Sequence, residues 1–275
     1  MTRSVRASLT PPPRLHVLLA RAAPAALVIR RGPADFCTLF AWDRRSDRFT
    51  QGDRLRARLY PLRSDLSPDG RHLLYFALDG KSFSDTQGSW TGISVAPTLR
   101  ASALYANGST YGGGGLFKSA GEYWLDDASG WPHETKAEMP TLIRRPSPPW
   151  RDAAIEETCR AIYPYRLLRD GWTLARPGPP DGMLHFEKAV GPHWVLRQAF
   201  RAGGNAGVSV ESGPGRNLHE LFNARTGQTL PCPDWEWADL DGDRLVWAAQ
   251  GRLCTGQPDA RGDGFEERVL HDFNP

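Results

Sequence analysis

The sequence has little lysine, few cysteines and no long apolar run. Four of its 34 basic residues are lysines and the remaining 30 are arginines, a bias expected of a GC-rich genome. The four cysteines show no C-x-x-C spacing and no histidine beside them at ligand spacing. These absences exclude the common zinc and redox motifs, so we expect no metal site.

The wide separation of the cysteines predicts buried thiols in a reducing compartment rather than a disulfide framework. They are Cys37, Cys159, Cys232 and Cys254. Cys232 and Cys254 could lie on neighbouring strands, so a disulfide between these two is left open.

No continuous apolar stretch approaches the roughly 20 residues that a membrane-spanning helix needs. The best candidate, residues 15–29, is interrupted by Arg21 and Pro24, which favours two short strands over a signal peptide. We therefore expect a cytoplasmic protein with no membrane span. The arginine-rich, acid-free start leaves a mitochondrial transit peptide as an alternative.

What the chain does contain is turn-forming and strand-forming residues. Its 28 glycines, 23 prolines and ten tryptophans are typical of short strands joined by tight turns, which predicts an all-β protein. Residues 1–13 are polar and end in three prolines, so we expect a disordered tail there. Nothing resembling a linker divides the rest, and residues 14–275 are predicted to form a single domain.

Positive charge is concentrated at the start of the chain. Residues 1–60 contain twelve arginines and four aspartates, whereas the whole chain has a net charge of +3. A basic end suits an anionic partner. The general preference for arginine explains most of this excess, and the aromatic residues are not interleaved with the arginines as a single-strand-binding surface would require. Nucleic-acid binding is not expected.

A turn-and-strand motif recurs along the chain. In residues 65–80, DLSPDGRHLLYFALDG, Asp69 and Gly70 form a predicted turn before an apolar strand. Asp241 and Gly242 repeat this arrangement in residues 239–247, and residues 169–174 are a weaker third copy. Gly70 and Gly242 are 172 residues apart, or four steps of 43, close to the ~40–45 residues of a propeller blade.

The pattern S-P-D-G-x-x-L-x-[YF] in residues 67–75 resembles the repeats of TolB-type and WD-repeat-like β-propellers, where the turn joins two strands of a blade. The resemblance implies a small, irregular β-propeller of five or six blades. A β-sandwich or a solenoid is the alternative. Residues 147–162 have the periodicity of one amphipathic helix, ended by Pro164, which we expect to cap the propeller.

The usual catalytic motifs are missing. The seven histidines form no H-x-H or H-E-x-x-H pattern, and no G-x-S-x-G elbow occurs. The glycine run 112–115 precedes Lys118 and Ser119 but departs from a phosphate-binding loop at Phe117. We therefore expect no cofactor and do not expect an enzyme. A hydrolase or lyase with its active site in the central channel is the alternative.

One loop has the composition of a recognition surface. Trp131 and His133, with Trp124 upstream, combine large aromatic side chains and polar groups near a Trp-Pro step. We predict that these three residues bind a protein partner and that the protein is an interaction or scaffold module. The competing interpretation places Trp131 beneath the loop, within the core.

Overall fold

The computed structural model describes most of the chain. It covers residues 11–32, 36–126, 133–137, 139, 141–148, 155, 162–175, 183–201, 218–258 and 265–275. The predicted tail, residues 1–13, lies mostly outside these ranges.

The described chain consists almost entirely of strands. In order they are β1 (Arg14–Leu19), β2 (Ala25–Arg31), β3 (Phe36–Asp43), β4 (Arg48–Arg56), β5 (Arg58–Leu59), β6 (Asp65–Leu66), β7 (His72–Leu78), β8 (Ser89–Val95), β9 (Ala103–Ala106), β10 (Gly115–Ser119), β11 (Glu122–Leu125), β12 (His133–Ala137), β13 (Ile143–Arg145), β14 (Thr173–Leu174), β15 (Met183–Val190), β16 (Trp194–Arg201), β17 (Leu218–Asn223), β18 (Thr229–Pro231), β19 (Trp235–Asp241), β20 (Arg244–Ala249), β21 (Arg252–Pro258) and β22 (Phe265–Asp272). The helix α1 (Ile162–Arg169) lies between β13 and β14, and a short 3-10 helix, Pro61–Arg63, lies between β5 and β6.

These strands form five sheets that succeed one another along the chain, except that β12 of the second sheet lies between β11 and β13 of the third. The first has the order β1-β2-β3-β4, the second β12-β9-β8-β7-β5 with β6 also paired to β7, and the third β10-β11-β13. The fourth has the order β14-β15-β16-β17-β18 and the fifth β19-β20-β21-β22. All pairs are antiparallel except β11 with β13. Consecutive antiparallel meanders of this size are typical of propeller blades.

Contacts between sheets close the series into a ring. Strand β1 contacts β6 of the second sheet and β19 of the fifth, β6 contacts β10 of the third, and β17 of the fourth contacts β19. Helix α1 contacts β10 and β14 and so lies between the third and fourth sheets. The predicted all-β class is confirmed, and the ring of five sheets is consistent with a propeller-like fold.

The two main copies of the turn motif occupy the same connection in different sheets. Asp69 and Gly70 lie between β6 and β7, where Gly70 has φ 75°, and Gly242 has φ 62° between β19 and β20. A left-handed φ favours glycine because it has no Cβ to clash with the backbone. The third copy differs: Gly171 follows α1, and its amide donates to the carbonyl oxygen of Leu168. That copy ends a helix rather than joining two strands of a blade.

The helix predicted over residues 147–162 falls largely outside the described residues, and a helix, α1, is described from Ile162 to Arg169. Within residues 147–162, Ile155 is helical and buried, and most of the other positions lie outside the described residues. Pro164 does not end the helix as predicted; it is the third residue of α1. Proline is tolerated in the first turn of a helix because the amide that it lacks has no intrahelical partner there.

The glycine run 112–115 is a close crossing of backbone segments. A Cβ on Gly114 would lie 2.2 Å from the carbonyl oxygen of Arg63, and one on Gly115 would lie 2.0 Å from that of Trp124. Residue 115 begins strand β10 rather than a helix. These glycines are therefore needed because a side chain would clash with the neighbouring backbone. The run is not a phosphate-binding loop.

The described cysteines, Cys37, Cys232 and Cys254, are buried free thiols. The possible disulfide between Cys232 and Cys254 is therefore not formed. Within the described residues, no helix is both long and apolar enough to span a membrane.

Candidate functional site

Two of the three residues predicted to bind a partner, Trp124 and His133, belong to different sheets. Trp124 lies in β11 of the third sheet and is buried, with 8% of its surface exposed. His133 begins β12, which pairs with β9 in the second sheet. Trp131 lies outside the described residues. Trp124 is thus a core residue, whereas the segment around Trp131 connects two different sheets.

Two neighbouring loops carry the most exposed aromatic side chains of the described chain. Residues 79–88 join β7 to β8, and residues 107–114 join β9 to β10. Phe83, in the first loop, is fully exposed, and Tyr111, in the second, is 65% exposed. We call these two segments the aromatic loop pair.

Hydrogen bonds close the first loop and hold the second loop to the start of β8. The amides of Asp79 and Gly80 both donate to the carbonyl oxygen of Gly88 across the base of the first loop. The hydroxyl of Ser89 donates to the carbonyl oxygen of Ser109, and the amide of Ser109 donates back to the same hydroxyl at 3.0 Å. Phe83 and Tyr111 are therefore presented by an ordered backbone.

The aromatic loop pair also borders the predicted binding segment. The amide of Gly113 donates to the carbonyl oxygen of Asp126 at 2.9 Å, and the amide of Asp126 donates to the carbonyl oxygen of Gly114 at 3.0 Å. Asp126 is the last described residue before the segment that contains Trp131. The chain therefore enters that segment beside the loop that carries Tyr111.

A second candidate site is a cavity of about 430 Å³ where β1, β6, α1, β15 and β19 meet. We call it the central cavity. Its apolar wall includes Val17, Leu18, Leu19, Trp237 and Leu240. Its charged side chains are Arg21, Arg44, Asp65, Arg166, Arg169, Asp170, Lys188 and Asp239.

A buried ion pair joins the second sheet to the helix on one side of this cavity. Both side-chain nitrogens Nη1 and Nη2 of Arg169 donate to the carboxylate of Asp65, the Nη2 bond measuring 2.8 Å. The amide of Phe117 donates to the same carboxylate at 2.7 Å. Burial lowers the pKa of Arg169, but the charges of Asp65 and Asp170 more than offset this, so its pKa is raised.

A second ion pair links the fourth and fifth sheets. Lys188 Nζ donates to Asp239 Oδ1 at 2.6 Å and to the carbonyl oxygen of Asp170 at 2.8 Å. Trp172 Nε1 donates to the other oxygen of Asp239 at 3.4 Å. Burial raises the pKa of Asp239, and the positive charge of Lys188 opposes that rise.

Arg166 differs from these cations because its hydrogen-bond acceptors are uncharged. Its Nη1 donates to the carbonyl oxygens of Pro61, at 2.9 Å, and Ser64. Its Nη2 lies 2.7 Å from Nε2 of His16. Burial, followed by the charge of Arg166, lowers the pKa of His16 well below its usual value, so the imidazole is neutral and accepts this bond. Among the described residues, no carboxylate forms an ion pair with Arg166.

The ionisable lining residues of the central cavity are aspartate, arginine, lysine and tyrosine. No histidine, cysteine, serine or threonine is among its described lining residues. Burial raises the pKa of its tyrosine, Tyr163, to about 12, which keeps the hydroxyl protonated. In the part of the chain that the structure describes, no group of three or more His, Cys, Asp or Glu residues could hold a metal ion.

Sequence reasoning missed this cavity, although one signal pointed to it. Asp65-Leu66 and Asp239-Leu240 are the Asp-Leu steps that precede the two Asp-Gly turns. The structure places both aspartates in the cavity wall, where Asp65 accepts a hydrogen bond from the buried Arg169 and Asp239 accepts one from the partly buried Lys188. The shared step therefore marks a position in the wall of this cavity.

Comparison with known proteins identifies no family. No protein-family model matches the chain, and no curated protein sequence matches it. Among solved structures, Kuenenia stuttgartiensis hydrazine synthase is 9% identical with a TM-score of 0.30, over 94% of this chain and 80% of that chain. The WD40 repeats of RRP9 are 11% identical with a TM-score of 0.25, over 96% and 85% of the two chains. At such low TM-scores, neither likeness carries an argument about function.

Proposed function

We propose that the protein is an interaction module that binds a protein partner through the aromatic loop pair and the adjoining Trp131 segment. The observation that carries this proposal is the full exposure of Phe83 on a hydrogen-bonded loop. Exposing a large apolar side chain to water costs about 1.5–3 kcal/mol relative to burying it. A partner that supplies an apolar pocket recovers this free energy.

The ordered loops make the proposed surface effective. A partner that binds Phe83 and Tyr111 has little backbone freedom to remove, because the first loop is closed by its own hydrogen bonds and the second is bonded to Ser89 at the start of β8. Aromatic side chains are also common among the few residues that dominate the free energy of protein binding. Trp131 and His133 extend this surface in the proposal, since their segment starts beside Gly113 and Gly114.

A hydrolase or lyase that acts in the central cavity is the competing function. The raised pKa of Asp239 favours it, because catalytic acids often show such shifts. Asp239 is, however, already hydrogen-bonded to Lys188 and Trp172. A structural ion pair accounts for this arrangement without a reaction.

The test is quantitative capture of binding proteins by the parent and by surface variants. We expect Phe83→Ser with Tyr111→Ser, and separately Trp131→Ala, to retain the melting temperature and to lose the captured partner. Leu218→Ser is the matched control, since Leu218 is an exposed apolar residue in the fourth sheet. Equal capture by the loop variant and the control would refute the proposed surface. A large drop in the melting temperature of Trp131→Ala would place that tryptophan in the core.

A further inference from the structure

The central cavity contains more positive than negative charge. The charge of Arg44 is matched by Asp241, whose Oδ1 lies 2.5 Å from Arg44 Nη1. The remaining charged lining residues are four cations, Arg21, Arg166, Arg169 and Lys188, and three carboxylates, Asp65, Asp170 and Asp239. One positive charge in the wall is therefore left without a matching negative charge.

Among the described residues, Arg166 is the cavity cation with no carboxylate at ion-pair distance, although the charges of Asp65 and Asp170 act on it at longer range. Its guanidinium group is buried and is held by two carbonyl oxygens and a neutral imidazole. A buried charge without a counter-ion is costly, because neutral acceptors replace only part of its hydration. An anion in the cavity would supply the missing counter-charge at short range and low effective dielectric.

Arg21, and Arg44 through its Nε, add donors that have no hydrogen-bond partner among the described residues. Arg21 forms one long contact, 3.7 Å from its Nε to Asp170 Oδ1, and its side chain is 31% exposed. Burial, followed by the charge of Arg169, lowers the pKa of Arg21, and the charge of Asp170 only partly opposes this. Arg44 Nε is buried without a hydrogen-bond partner. Both side chains line the same cavity as Arg166.

We propose that the central cavity binds a carboxylate group attached to a small apolar body, with Arg21 as its recognition residue and Arg166 as the charge that it balances. The volume of about 430 Å³ lies within the range of ligand pockets. Trp237, Leu18 and Leu240 provide the apolar surface. A single surplus positive charge favours a monoanion. A phosphate dianion would exceed that charge and leave the site net negative beside Asp65, Asp170 and Asp239.

This site shares no residue with the aromatic loop pair, so the two proposals can fail separately. The carboxylate could belong to a free organic acid or to an acidic side chain of a protein partner. Both sources present the same group to Arg21, and the experiment must distinguish them.

The experiment is isothermal titration calorimetry of the full-length protein with matched probes. Benzoate, phenylacetate and octanoate represent free acids, and their primary amides are neutral controls of the same shape. A capped glycine-rich peptide with one glutamate, beside its glutamine counterpart, represents a partner side chain. We expect a carboxylate probe to bind and its amide to bind at least tenfold more weakly, because the neutral amide cannot form a charge-assisted hydrogen bond with Arg21. Whether the free acid or the peptide binds identifies the source.

Two variants assign the binding to this cavity. Arg21→Gln should weaken carboxylate binding about tenfold or more, whereas Arg21→Lys should recover part of it. Arg225→Gln removes the same charge from an exposed turn between β17 and β18 and should change nothing. Higher salt should weaken binding by the parent. The proposal is wrong if carboxylates and amides bind equally, if neither binds at millimolar affinity, or if Arg21→Gln behaves like Arg225→Gln.

Discussion

Arg44 and Asp241, 197 residues apart, form one half of a reciprocal exchange between the first and last sheets. Arg44 lies in the turn between β3 and β4, and Asp241 ends β19. The other half runs in the opposite direction: Arg244, which begins β20, donates to both oxygens of Asp47 at 2.8 and 3.0 Å. Each turn thus contributes one arginine and one aspartate, and together they join the two ends of the ring.

The exchange predicts a measurable role in stability for Arg244. Arg244→Gln removes two hydrogen bonds to Asp47 and one to Asp241. We expect a loss of about 1–2 kcal/mol in the free energy of unfolding, less at high salt, because the groups are partly exposed. Urea unfolding of Arg244→Gln, Asp47→Asn and the double variant measures the coupling. If the double variant loses as much stability as the two single variants together, Arg244 and Asp47 are not coupled and the pair contributes nothing to closing the ring.

Comparing substitutions at the two turn glycines separates the cost of backbone strain from the cost of a side-chain clash. Gly70 and Gly242 both have positive φ, but a Cβ on Gly70 would lie 2.8 Å from the Cβ of Ala25, whereas nothing lies within 4 Å of one on Gly242. We expect Gly70→Val to cost about 1–3 kcal/mol through strain alone and more through the clash. Gly242→Val should cost only the strain. Equal drops in melting temperature for the two variants would show that the clash with Ala25 does not destabilise Gly70→Val.

Two buried histidines predict that acid destabilises the fold. Burial lowers the pKa of His219 to about 4 and that of His16 well below 6.5. Above pH 6.5 both are neutral in the folded and unfolded chains, so they contribute no pH dependence there. Below it the unfolded chain binds protons that the folded chain does not, and stability falls towards pH 4 by about 1.4 kcal/mol per pH unit for each histidine.

Urea unfolding between pH 7.5 and 4.5 tests this prediction. His219→Gln should make the slope of stability against pH shallower in that window, whatever its effect on stability at pH 7.5. Parallel slopes for the parent and His219→Gln would mean that folding does not lower the pKa of His219.

The buried pair of Asp65 and Arg169 should contribute much more than an exposed pair. Asp65→Asn leaves Arg169 deeply buried with its charge less well matched, and we expect a loss of about 3–5 kcal/mol. Glu122→Gln is the control, since its partner Arg145 and Glu122 itself are both partly exposed, and it should cost about 1 kcal/mol or less. Chemical denaturation of both variants gives the comparison. Similar losses in the two would contradict the burial of the Asp65 carboxylate.

Local structure was predictable from the sequence where neighbouring residues decide it. The Asp69-Gly70 and Asp241-Gly242 turns, and the apolar strands that follow them, depend on backbone preferences and alternation over a few residues. The same reasoning misplaced the end of the helix at Pro164, because a proline signals a helix boundary without telling which end it marks. It also assigned residues 169–174 to the repeat, since Asp-Gly can end a helix as well as form a turn between strands.

The tertiary structure alone decided which residues meet. Trp124 and His133 are nine positions apart in the chain but belong to different sheets, whereas Asp65 and Arg169 are 104 positions apart and share two hydrogen bonds. The central cavity exists because the ring closes and brings β1, α1 and β19 to one place. Closure depends on packing and ion pairs between distant segments, and local preferences within one stretch of chain contain no information about such partners.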